Sequence, residues 1–294
     1  MKKKLFPRSI DPLTALFDQH KNLITDPQGI KNVIVKEFQY RLRNREIDEN
    51  LQDLRKMKEH LCELRLDITR TNDFRPWSME NLNASIKRLM NNKSKDPHGH
   101  INEMYKFLGE DGKQTLLMLL NMIKEQLLIP TQLNLSNVTT IYKGKGSKQE
   151  VINLRGIFKL AIIRNILDRM VYFDEQKTIK RGMGQHQVGN QKGRSIRDNT
   201  FILHAIVNEA RENKTSIDIQ FTDIAQCFDS IWLQEAVNDL YTSGVISRNL
   251  NLLFEGNRKT FMAVVGRIDR VKLTKMTNMY EITKLLHLTI FTIR

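Results

Sequence analysis

The segment Ile217-Asp218-Ile219-Gln220-Phe221-Thr222-Asp223 restricts the fold more than any other. Its residues alternate apolar and polar like a strand, and it ends on a carboxylate. Most of the remaining chain has helical periodicity, so a sheet is needed to receive this strand. An aspartate ending a buried strand is costly unless it binds a metal or a partner. Two readings follow. In the first, Asp223 holds a divalent ion for phosphoryl transfer, where one ion activates the attacking hydroxyl and a second supports the leaving phosphate. Magnesium keeps several waters, so few protein carboxylates suffice. In the second, Asp223 caps a turn or the helix that follows.

Around this strand the periodicity predicts helices over residues 28–44, 46–70, 78–90, 113–128 and 194–211. Further helices are expected around Ile162–Met170, from Trp232 to Gly244, and over 249–257. Ser78 is a suitable N-cap, Ile129-Pro130 stops the helix before it, and Gly244 suits a C-terminal cap. Asn137–Tyr142 reads as a strand with a flexible tip at 143–150, and Phe261–Val265 with Arg267–Leu273 as a hairpin. In the longest helix Leu51, Leu54, Met57, Leu61, Leu64 and Ile68 form one apolar stripe among charges. That pattern suits a helical arm or short coiled coil. The expected fold class is α+β: a basic tail and helical arm over 1–74, a main domain over 75–280 and an atypical tail over 281–294.

Charge narrows the partners. The chain carries a formal net charge of +14, and residues 141–194 hold 12 Lys or Arg against 4 Asp or Glu, which is +8 of it. Seven of the 14 glycines lie between Gly144 and Gly193. Lysine mixed with glycine suits a backbone that comes close to phosphates. In Lys143-Gly144-Lys145-Gly146-Ser147-Lys148, followed by Asn153-Leu154-Arg155-Gly156-Ile157, the lysines offer point charges and Arg155 a bidentate fork. A hairpin carrying both could grip a triphosphate; a solvated loop is the plainer reading. The Walker A pattern is absent. The run from Gln185 to Ser195 suits template backbone or a polar loop with a helix cap.

These pieces and their order resemble the reverse transcriptase domain of non-LTR (LINE-type) retrotransposons. Lys-Gly-Lys-Gly and then Asn-Leu-Arg-Gly-Ile is similar to the family's fingers motif, often Asn-Tyr-Arg-Pro-Ile. Gln187-Val188-Gly189 with Gly193-Arg194-Ser195 resembles its Gln-x-Gly-Phe and Arg-Ser segment, with Asn190 in place of Phe. Phe221 to Ser230 resembles palm motif A. Upstream, Asn91 to Lys106 and Ile129-Pro130 also have counterparts. The resemblance covers roughly residues 75–275 and implies the fingers and partial palm of a right-hand polymerase. It implies that Asp223 is a catalytic metal ligand and that Ile224 lends its carbonyl to the same Mg2+. Phe228 would lie under the sugar and exclude a 2′-hydroxyl. Lys143 and Arg155 would contact the incoming dNTP, and Gln187 and Arg194 the template. Asp229 would make a structural bond. The implied partners are an RNA template and primer strand.

One departure outweighs the matches. The family completes its metal site with a Tyr/Phe-x-Asp-Asp turn, and this sequence contains no Asp-Asp pair. A domain cut before that turn, as in a frameshifted or degenerate element, is expected to be catalytically inert. Two other readings remain: a non-catalytic RNA or RNA–DNA binding module, and a chain that folds poorly because motif A is left as an exposed edge strand. No apolar run approaches the ~20 residues of a membrane span, and Met1-Lys2-Lys3-Lys4 is not followed by a signal-peptide core. Cys62 and Cys227 cannot form a disulfide framework or zinc set. An intracellular location, in cytoplasm or nucleus, and no membrane partner are expected. His98, His100 and His186 are read as solvent-facing rather than ligating.

Overall fold

In the computed structural model the described residues are 13–42, 49–182, 187–188, 193–221, 232–258, 261–264 and 276–277. They form an α+β structure. Among them no helix is long and apolar enough to cross a membrane.

The expected basic tail contains a small antiparallel pair, β1 (Leu16–Phe17) with β2 (Leu23–Ile24). Asp18 closes the turn by accepting from the backbone N–H of His20 and of Asn22, both at 2.8 Å. Helix α1 (Pro27–Leu42) follows. Proline suits its first position, where the N–H has no helical partner. Ile30, Ile34 and Phe38 recur at helical spacing and are buried with Leu16, Val138, Leu154 and Leu160 in the smaller of two cores.

Helix α2 (Glu49–Arg70) ends where expected, residues 46–48 of the expected helix lying outside the described residues, but it buries a different face from its apolar stripe. Cys62, Leu66 and Thr69 are buried, whereas all six stripe residues are between 37% and 60% exposed. Two later helices, α8 (Leu233–Thr242) and α9 (Asn249–Arg258), lie against the buried face. Asn251 donates to Leu66 O at 3.0 Å and to Thr69 Oγ1 at 2.7 Å. Lys58 pairs with Glu235, and Arg65 donates to Asn238 O at 3.0 Å. Burial pushes the Cys62 thiol up to about 12.

Helix α3 (Met79–Lys87) opens on a capping box in which Ser78 Oγ accepts from Asn81 N while Asn81 Oδ1 accepts from Ser78 N. After the short α4 (Asn102–Lys106), α5 (Glu110–Gln126) ends at Leu127, whose φ of 54° is left-handed. β3 (Leu135–Tyr142) and β4 (Leu154–Leu160) form an antiparallel hairpin. α6 (Ile162–Gly182) and α7 (Ile196–Glu212) precede α8 and α9, and β5 (Phe261–Val264) pairs with β6 (Met276–Thr277). The four-stranded sheet has the order β4-β3-β5-β6, with β5 parallel to β3. The larger core gathers Leu120, Ile166, Leu167, Met170, Leu233 and Leu250 from α5, α6, α8 and α9.

The strand expected over Ile217–Asp223 is absent over 217–221, which belong to no strand and stay exposed. Ile217, Ile219 and Phe221 are all exposed, so the alternation buries neither face. A strand exists through its ladder of hydrogen bonds, and this segment joins neither sheet among the described residues. Residues 222–223 lie outside the described residues.

Gly156 shows how tightly α1 holds the hairpin. A Cβ there would lie 2.7 Å from Cε1 and Cζ of Phe38. That ring cannot swing away freely: it meets Phe158 edge-on at 5.9 Å, and the Arg41 guanidinium carbon lies 5.3 Å from its centroid. Alanine normally stabilises a strand position relative to glycine by reducing chain entropy. Here the clash reverses the sign, and Gly156→Ala is expected to cost about 1–3 kcal/mol. Urea unfolding checks this; a raised midpoint would show that Phe38 does not seat on the hairpin.

Candidate nucleic-acid interface

The hairpin divides its residues by parity. On the inner face Val138, Leu154 and Leu160 are buried, with Tyr142 and Phe158 packed beside them under α1. On the outer face Ile141, Arg155 and Ile157 are exposed. Ile141 stands opposite Arg155, and the pairing continues one step past the strand through Lys143 N donating to Asn153 O at 2.8 Å. Lys143 therefore shares the parity of Ile141 and Arg155, and the register brings the two fingers-motif cations to one open face. Lys143 Nζ also donates to Ile152 O at 2.6 Å, which holds that side chain beside the hairpin's last turn.

The tip is built by its sequence. Gly144 and Gly146 take φ of +80° and +73°, which residues with a Cβ rarely adopt. Tyr142 donates its hydroxyl to Gly146 O, and Asn153 Nδ2 donates to Ser147 O at 3.0 Å and Glu150 Oε2 at 2.9 Å. Beneath, Arg41 donates to Leu154 O at 3.0 Å and Val151 O at 2.9 Å, with Glu37 as its counter-charge at 2.6 Å. Such bonds fix where the outer cations stand.

Two cations escaped the sequence reading. Lys159 shares the parity of Arg155 and extends the basic face along β4. Burial is the main cause lowering its pKa, and Lys93 lowers it further while Asp96 opposes both. Lys159 also donates to Ser94 Oγ at 3.0 Å, so loop 93–100 reaches this edge. Asp96, itself buried, anchors that loop by accepting from His98 N at 2.9 Å, His100 N at 2.8 Å and, at the start of α6, Ile162 N at 3.0 Å. The parity of β4 carried the signal for Lys159. Nothing local linked Lys93 to it.

The remaining site candidates are distributed differently. Gln187 is exposed between α6 and α7. Arg194 is exposed and pairs with Asp198 at 3.1 Å, next to the Ser195 capping box that starts α7. His98 contacts Gln132 O at 2.8 Å, and His100 contacts the Tyr105 hydroxyl at 2.9 Å. Asp223, Ile224, Phe228 and Asp229 lie outside the described residues, as do Cys227 and His186. Among the described residues no group of three or more His, Cys, Asp or Glu could hold a metal ion. No protein-family model matches the chain.

Proposed function

We propose that this chain is the fingers and part of the palm of a retrotransposon RNA-directed DNA polymerase, and that it binds nucleic acid without polymerising it. One observation carries the reading: the β3–β4 hairpin sets the exposed Lys143 and Arg155 on one face, with the half-buried Lys159 farther along the same strand face, backed by α1. A fixed row of cations on an edge that water reaches suits a polyanion that arrives from solution. Arg155 is a planar fork matched to paired phosphate oxygens, and the lysines add point charge. An RNA–DNA hybrid or a triphosphate meets that demand equally.

Catalysis is a separate matter. The family's chemistry needs carboxylates on both sides of the metal pair, and this sequence has no Asp-Asp pair to join Asp223. With a primed RNA template, dNTPs and magnesium, the chain is expected to incorporate no nucleotide above background. Incorporation that disappears in Asp223→Ala would contradict this. Binding is tested by nitrocellulose filter retention of an RNA–DNA hybrid across a salt series. Affinity should fall by about 10²-fold or more between 50 and 200 mM salt if four or more phosphates are contacted. Retention that is absent, or indifferent to salt, would remove the nucleic-acid reading.

A further inference from the structure

The exposed apolar stripe on α2 is a surface feature that the hairpin face leaves unused. Leu54, Met57, Leu61, Leu64 and Ile68 alternate steps of three and four residues, which is a heptad seam with Leu54, Leu61 and Ile68 at a and Met57 and Leu64 at d. All five are exposed. The helix is held from its other side by α8 and α9, through Cys62, Leu66 and Thr69. It is thus a fixed 22-residue rod, about 33 Å long, with its seam turned outward.

We infer that α2 pairs with α2 of a second copy of this chain in a parallel, in-register coiled coil. Charge beside the seam selects this occupant and this direction. Asp53, His60 and Asp67 fall at g positions, and Lys58 and Arg65 at e positions. Parallel copies set g against the following e of the partner helix, so Asp53 meets Lys58 and the acid is answered by a base. An antiparallel pair would set Asp53 against Asp67 and Lys58 against Arg65, like against like. The ion pair that Asp53 makes within one chain, to Lys56 at 3.5 Å, is exposed and easily exchanged. Lys58 keeps Glu235 and gains a second acid. A seam of little over two heptads gives a weak, reversible dimer.

Sedimentation equilibrium of the full chain over about 1–200 µM tests this, with a monomer–dimer equilibrium expected inside that range. Leu64→Glu should raise the dissociation constant at least ~50-fold while leaving the circular dichroism spectrum and the melting temperature of the dilute monomer unchanged, because the side chain is 47% exposed. Met57→Glu is a second variant with the same expectation, should the first fold poorly. Under a mild disulfide oxidant, Leu54→Cys should crosslink into a covalent dimer, since parallel helices set residue 54 against itself. A monomer at every concentration would overturn the inference, whatever else covers the stripe. So would a dimer indifferent to both glutamates. A dimer that the glutamates abolish, but that Leu54→Cys does not crosslink, would overturn the parallel register. The nucleic-acid reading does not depend on any of these results.

Discussion

Replacing Arg164 by methionine is expected to lower the unfolding free energy by about 3–5 kcal/mol, the largest effect of any single substitution proposed for this chain. Arg164 is 1% exposed and stands where α6, the start of β3 and α9 meet. It donates through Nε to Asp168 Oδ1 at 2.8 Å and through Nη1 to Gly256 O at 2.7 Å and to Asn134 Oδ1. Gly256 is required for that approach, because a Cβ there would lie 2.0 Å from Arg164 Nη2. Methionine would replace the aliphatic stem and no donor. Gly256 O and Asn134 Oδ1 would lose the Arg164 donor, and Asp168 would lose its buried counter-charge.

The pH dependence of that variant has a fixed sign. Burial pushes the Asp168 carboxyl upward, and Arg164 opposes the push. Without Arg164 the opposition is gone and the folded-state pKa rises further. A group with a raised folded pKa favours folding below its ordinary value, and that contribution is lost as pH rises through the raised one. The deficit of Arg164→Met should therefore shrink as pH falls from 7 towards about 4.5. Adding Asp168→Leu should recover much of it at pH 7, since an apolar pair can replace a buried ion pair. Urea unfolding at both pH values checks all of this. A single-substitution cost below about 1 kcal/mol would show that Arg164 is not the joint between these elements.

The second large effect concerns binding. Lys143→Glu combined with Arg155→Glu is expected to weaken retention of an RNA–DNA hybrid by about 10–100-fold at 100 mM salt and to make the salt slope shallower by about 2. Both side chains are exposed, and neither helps to form a core. Their reversal should change the unfolding free energy by no more than an ordinary surface substitution does, about 0.5 kcal/mol each. Arg194→Glu provides the contrast. Arg194 lies away from the hairpin face, at the start of α7, so its reversal should cost much less affinity. If all three positions behaved alike, binding would follow net charge rather than the hairpin face.

Local signals were legible in the sequence and non-local ones were not. Helices α1, α5, α8 and α9 follow from apolar spacing and their stop signals, and Ser78 starts α3 as its side chain suggests. The β3–β4 hairpin was readable from one strand and a glycine-rich tip. The parallel pairing of β5 with β3 was not, because more than a hundred residues separate the partners and no local pattern records such a contact. The α2 stripe was seen but its face was not. Six large apolar residues outweigh one cysteine, one leucine and one threonine in any periodicity, yet those three are buried because α8 and α9 pack on their face, where Asn251 bonds to Leu66 O and Thr69 Oγ1. Ile217–Phe221 shows the converse case, where alternation without a partner makes no strand. At the candidate site Lys143 and Arg155 were legible from residue type and spacing, whereas Lys93 reaches Lys159 only through the fold of loop 93–100 around Asp96.

Photocrosslinking addresses the central claim, that the outer face of the β3–β4 hairpin is where this chain meets nucleic acid. An RNA–DNA hybrid carrying photoreactive bases would be irradiated with the full chain and the modified peptides located by mass spectrometry. Adducts concentrated between Lys143 and Lys159, and lost in the Lys143→Glu, Arg155→Glu double variant, are the expected result. Adducts confined to other parts of the chain, with the double variant unaffected, would contradict it.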